Sequence, residues 1–198
     1  VEAQGAAGDG VACGVDDRHP QLVRAGEYLL SEEVRVKGDW AIRRPDLAPG
    51  GWAFEYENDN YPDVDDTAVL PLALHGLGIG EEDAIRRGLD WLVGMQSRDG
   101  GWGAFDVDNK AMWLYKIPFC DFGKVTDEPS ADVTAHAIEL LGTLGVHDEA
   151  ATRGVEWLLA EQEDDGSWFG RWGVNYIYGT GAALPGLEAC GVPYDHPA

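Results

Sequence analysis

An internal repeat constrains this chain more than any other feature. Arg87-Gly88-Leu89-Asp90-Trp91-Leu92 is followed by Gln96 and then by Asp99-Gly100-Gly101-Trp102. Arg153-Gly154-Val155-Glu156-Trp157-Leu158 is followed by Gln162 and then by Asp165-Gly166-Ser167-Trp168. Trp91 and Trp157, Gln96 and Gln162, and Trp102 and Trp168 are each 66 residues apart. A weaker copy opens at Arg24-Ala25-Gly26-Glu27-Tyr28-Leu29-Leu30, where Glu33 stands in the glutamine's place. Repeats of this length point to an array of like units.

A second element alternates with the first. Asp65-Asp66-Thr67-Ala68 leads into an apolar stretch ending at Leu77-Gly78, and Asp132-Val133-Thr134-Ala135 into one ending at Leu144-Gly145. Thr180-Gly181-Ala182 through Cys190-Gly191 has the same shape. Asp or Thr near the start and Gly at the stop mark each as a short helix. The spacing predicts helices over 19–34, 64–77, 81–96, 131–144, 147–162 and 179–190, with loops over 35–63, 97–130 and 163–178. The Asp/Thr-led helices are apolar nearly all round, as buried helices are. The others are amphipathic: Ile85, Leu89, Leu92 and Val93 share one face. Alternating buried and half-exposed helices give an all-α fold, an α/α toroid of two concentric layers, incomplete in this chain. Pro71 and Pro185 fall inside two inner helices, where each is expected to cost a hydrogen bond or kink the helix.

Charge narrows the partners. With Lys+Arg 14 against Asp+Glu 36, the net charge is -22. No basic face exists to displace counterions from phosphates, so nucleic acid is excluded as a partner. Cys13, Cys120 and Cys190 lie far apart without a CxxC pair, which favours a reducing compartment over zinc or disulfides. No run of 18 apolar residues spans a membrane. Residues 1–17 read as an irregular N-terminal segment, and 18–198 as part of one helical domain. With no initial Met and a loop-like end at Asp195-His196-Pro197-Ala198, the chain reads as an internal piece of a longer protein.

If the inner helices run parallel around a ring, their N-termini share one rim. Asp65 and Asp132 then occupy equivalent positions, and His136 lies one turn beyond Asp132 on the same face. The loops feeding that rim carry Gly51-Trp52-Ala53-Phe54, Gly103-Ala104-Phe105, Pro118-Phe119-Cys120-Asp121-Phe122 and Trp168-Phe169-Gly170-Arg171-Trp172. The rim collects Asp63, Asp65, Asp66, Asp132, His136 and many aromatics. Crowded carboxylates do not all ionise cheaply, so at least one holds its proton near neutral pH. A protonated carboxyl facing an apolar, aromatic-walled cavity suits protonation of an uncharged substrate. Aromatic faces stabilise the resulting cation by roughly 0.5–2 kcal/mol each. Taken alone, an Asp-rich helix start is more often only a cap, and Phe54, Phe105 and Trp172 are by default core residues.

These residues resemble those of the squalene–hopene cyclases, the bacterial class II triterpene cyclases. Asp63-Val64-Asp65-Asp66-Thr67-Ala68 looks like the family's DxDD acid motif, and the two Gln…Gly-x-Trp units look like its QW repeats. Gly166 to Gly181 and the pair Pro118–Gly123 and Asp132–His136 are similar to further family stretches. The resemblance covers roughly residues 18–194. It implies that Asp65 is the catalytic acid and that His136 hydrogen-bonds it, with Asp63, Asp66 and Asp132 completing the acidic site. It implies a cavity lined by Phe54, Phe105 and Trp172, with Trp168 beside them, and a channel constriction at Phe119 and Cys120. The implied reaction cyclises squalene to hopene and hopanol with no metal and no organic cofactor. The implied whole protein is a homodimer, monotopic on the cytoplasmic face of a membrane. The remainder of the barrel is missing from this chain, so the piece alone is expected to be inactive. Two alternatives stand beside this reading: another DxDD cyclase acting on a prenyl diphosphate or other polyprene, and a non-catalytic α/α-toroid binding protein.

Overall fold

A computed structural model describes residues 18–55, 57–58, 60–79, 82–109, 126–173 and 175–196. Among them are six α-helices: α1 (Pro20–Ser31), α2 (Val64–Gly76), α3 (Glu82–Gly94), α4 (Ala131–Leu144), α5 (Asp148–Ala160) and α6 (Asn175–Ala189). A short antiparallel ribbon pairs β1 (Trp52–Ala53) with β2 (Pro62–Asp63), setting Trp52 opposite Asp63.

The helices sort into two layers. α4 packs against α2 on one side and α6 on the other, while α5 lies against α4 and α3 against α2. Flanked this way, α4 buries Ala131 to Ala135, Ala137, Ile138, Leu140 and Leu141. α2 and α6 have α4 as their shared inner neighbour and show apolar side chains to solvent, including Val69, Ile177 and Leu184. Local chemistry sets the ends. The Asp63 carboxylate accepts from the backbone N–H groups of Asp65 and Asp66 and so caps α2. Gly145, at φ 63°, closes α4 in the left-handed conformation that glycine adopts without strain. Acidic pairs, Glu82-Asp83 and Asp148-Glu149, open α3 and α5 at the positive helix end.

The layers are tied by one device used three times. In each unit a loop tryptophan donates its indole N–H to a carbonyl of the preceding outer helix: Trp52 to Leu29 (2.6 Å), Trp102 to Leu92 (2.8 Å), Trp168 to Leu158 (2.7 Å). The backbone N–H of the same tryptophan donates to the threonine of the next inner helix: Trp52 to Thr67 (2.9 Å), Trp102 to Thr134 (3.0 Å), Trp168 to Thr180 (3.0 Å). The ring then packs where the next outer helix has glycine. A Cβ at Gly88 would lie 2.9 Å from the Trp52 ring, and one at Gly154 would lie 2.8 Å from Trp102.

The first unit is therefore complete, although its sequence hides it. The tryptophan follows its glutamine by six residues in the later units, whereas Trp52 follows Glu33 by nineteen. The inserted stretch carries a short 3₁₀ turn, Asp39–Ile42, and Trp40 packs edge-on against Trp91 with ring centroids 5.8 Å apart. Gln96 donates to the carbonyls of Gly100 and Ala150 and accepts from Arg153 (3.1 Å). Glu33 instead takes the equivalent Arg87 as a bidentate ion pair, at 2.6 and 2.8 Å.

One boundary needs adjustment. α6 begins at Asn175 rather than 179, because Thr180 sits deeper in its helix than Thr67 and Thr134 do in theirs. Pro71 and Pro185 lie within helices that continue through both positions. Residues 1–17, with Cys13, lie outside the described residues.

Candidate active site

The ribbon and the inner-helix starts build the site. β2 ends at Asp63, which caps α2, so Asp65 and Asp66 fall in that helix's first turn. Asp65 and Asp132 each precede the unit's threonine by two residues, and they stand on neighbouring inner helices. One turn further along α4, His136 Nδ1 reaches Asp65 Oδ1 at 2.5 Å. Asp132, fully buried, accepts from the backbone N–H of Trp172 at 2.7 Å through Oδ2 and from Val133 through Oδ1. Four of the five acidic-site residues thus meet around one junction of α2 and α4. Asp66 is half-buried beside them.

The electrostatics are uneven. Asp63 is 6% exposed. Burial first, and then the neighbouring Asp66 charge, push its carboxyl up to about 7, against the two backbone donors that favour its charged form. Asp66 is also raised, by burial and by Asp65. Burial disfavours the His136 imidazolium, yet the hydrogen bond and charge of Asp65 outweigh it and raise the histidine above its ordinary value. The His136 imidazolium is thus favoured, while burial favours the protonated form of the neighbouring Asp63 and Asp66 carboxyls.

The aromatics divide. Phe105 and Trp172 meet edge to face, with centroids 5.8 Å apart, and the Trp172 ring is 50% exposed to the open rim. Phe54 is 76% exposed at the end of β1, with no ring partner found among the described residues. Trp168 is only 2% exposed and is bonded to Leu158 and Thr180 like Trp102 to its own partners, so the structure sets it in the tie between layers. Phe119 and Cys120 lie outside the described residues.

Two further residues belong to this junction. Tyr178 precedes Thr180 by two residues, so it is α6's counterpart of Asp65 and Asp132, and its ring lies edge-on to His136 at 6.1 Å. Aligning the third inner helix on its threonine picks it out. Asp127 has no such signal. Its carboxylate accepts from the backbone N–H groups of Ala104, Phe105 and Asp106 and faces Arg171 at 3.5 Å.

Comparison with known proteins fits this arrangement. The fold matches that of MstE, a type II terpene cyclase from Scytonema, with a TM-score of 0.56 over 80% of this chain and 44% of that one, at 21% identity. The profile of the squalene-hopene cyclase C-terminal domain matches residues 6–198. The chain therefore belongs to the squalene-hopene cyclase family of class II triterpene cyclases. It is 55% identical over 186 residues to the squalene–hopene cyclase of Alicyclobacillus acidocaldarius and 48% identical over 192 residues to that of Zymomonas mobilis. These matches take in 91% and 92% of the chain but 30% and 29% of the relatives, so the chain spans less than a third of their length. A dammaradiene synthase from Dryopteris crassirhizoma is 43% identical over 90% of the chain.

Proposed function

We propose that this chain forms the acid-bearing part of a squalene–hopene cyclase. The observation that carries this is the 2.5 Å contact between His136 Nδ1 and Asp65 Oδ1 at the aromatic rim. As the imidazolium, His136 donates to Oδ1, so the acidic proton sits on Oδ2. That proton passes to the less substituted carbon of squalene's terminal double bond, leaving a tertiary cation. Asp65 becomes a carboxylate, and the pair becomes an ion pair held at short range. Ring closures then move the cation past the rim aromatics. Loss of a proton from the last cation gives hopene, and capture of water gives hopanol. Phe105 and Trp172 are the cavity aromatics best placed for this. Asp63, whose carboxyl is raised to about 7, and Asp132, engaged with Trp172, frame the acid.

Squalene has no polar group, so it reaches the site from lipid. We place the whole protein as a monotopic homodimer on the cytoplasmic membrane face. Among the described residues no helix is long and apolar enough to cross a membrane. The net charge of -22 on this chain offers nothing to anionic headgroups, so any attachment through this part is apolar and insensitive to salt. The test is to incubate the whole protein with squalene and analyse the products. Hopene and hopanol support the proposal; unconsumed squalene, or a different carbon skeleton, overturns it.

A further inference from the structure

Asp127 is buried in the segment just before α4, where it faces three parts of the rim. Its carboxylate takes the backbone N–H groups of Phe105 and Asp106 at 2.6 and 2.7 Å, and that of Ala104 at 3.3 Å. The Ala104 carbonyl accepts in turn from Val64, the first residue of α2. On the other side, Arg171 Nη1 faces Asp127 at 3.5 Å, while Nη2 donates to the Thr126 carbonyl at 2.9 Å. The Arg171 guanidinium lies over the Trp172 ring, 4.9 Å from its centroid. Trp172 is then tied back to α4 through Asp132, and α4 to α2 through His136 and Asp65. These contacts form a closed circuit, with Asp127 joining the Phe105 loop to the Trp172 loop.

We infer that Asp127 is a positioning residue for the cyclisation, fixing the Phe105 and Trp172 rings relative to each other and to Asp65. It thereby sets where along the cavity a developing cation is stabilised. This rests on the reading of those rings as cavity aromatics. A purely structural loop anchor would need acceptors for the three N–H groups and no cation. Here the same carboxylate also faces a guanidinium that covers one of the two rings. Breaking the Arg171 arm therefore separates the two roles, because the loop bonds to Asp127 survive it.

The experiment uses the whole protein with squalene, comparing wild type, Asp127→Asn, Asp127→Glu and Arg171→Met. Asp127→Asn and Arg171→Met should each raise the ratio of incompletely cyclised to fully cyclised products by roughly tenfold, a shift worth about 1.4 kcal/mol. Asp127→Glu, which keeps the charge, should recover part of that ratio. Tryptophan emission should also differ between Asp127→Asn and wild type, and the difference should vanish in a Trp172→Phe background. A wild-type product ratio in both variants, with only a lower Tm, overturns the inference. Should Asp127→Asn not fold, Arg171→Met decides by the same ratio. If wild type does not convert squalene, the functional proposal has failed, and emission alone decides whether Asp127 positions Trp172: an unchanged signal overturns it.

Discussion

The tie between layers and the acid rim are built by the same repeat, yet they treat polar groups in opposite ways. In the tie, the indole and backbone N–H groups of Trp52, Trp102 and Trp168 find the same partners three times over. At the rim the repeated position carries Asp65, Asp132 and Tyr178 in turn, and carboxyls crowd until burial and mutual charge raise Asp63 and Asp66. Stability asks for identical, satisfied contacts, and repetition supplies them. Chemistry asks for unlike groups at short range, so the repeat is broken where the helix starts converge.

The contrast is sharpest at the acid. In the whole protein, Asp65→Asn should lower squalene conversion by roughly 10²–10⁴-fold, the range for loss of a general acid and the effect the proposed role requires, with little change in Tm. Near wild-type turnover would remove Asp65 from the chemistry. His136→Ala should fall nearly as far, and it should also alter the pH profile. The wild-type rate should decline as rising pH strips the first proton from the doubly protonated Asp65–His136 pair, and removing His136 should move that limb.

The tie should respond in the opposite sense. Trp102→Phe leaves the Leu92 carbonyl without its indole donor and opens space in a fully buried site. It should cost about 2 kcal/mol in thermal or denaturant unfolding and leave the product pattern intact. Changed products would show that the tie reaches the cavity.

Asp63 belongs to both regions, as cap and as rim acid. Its folded value of about 7 lies above the ordinary 3.8, so the native state binds its proton more tightly. Its contribution therefore weakens as pH rises from about 4 to about 7. Asp63→Asn keeps an acceptor for the Asp65 and Asp66 N–H groups and stays neutral. It should raise stability at pH 8 by roughly 1–3 kcal/mol and change little at pH 4. Equal effects at both pH values would refute the raised value. The smallest effect is expected at Glu33→Gln, which converts the first unit to the pattern of the later ones. Arg87 would bond the amide oxygen as Arg153 bonds Gln96, with a change within about 1 kcal/mol of wild type by chemical unfolding.

The helices and their alternation were legible in the sequence, because caps, terminal glycines and apolar periodicity are local. The second and third units were legible as well, since Gln and Trp keep a fixed short spacing. The first was obscured, because inserted residues between Glu33 and Trp52 destroy the spacing while the hydrogen bonds to Leu29 and Thr67 survive it. The resemblance brought Asp65 and His136 forward by motif, and the parallel inner helices gave a reason for their meeting. Trp168 and Phe54 show the limit: both are aromatic on loops of the same rim, yet one is sealed in the tie and the other open to solvent. Which segments are helical, and which helices are apolar enough to lie inside, follow from neighbours along the chain and were legible without the fold. That Asp127 meets Arg171, and which carboxyl is buried enough to favour its protonated form, came from the packing alone. Those outcomes depend on distances and desolvation between segments far apart in sequence, which no local pattern records.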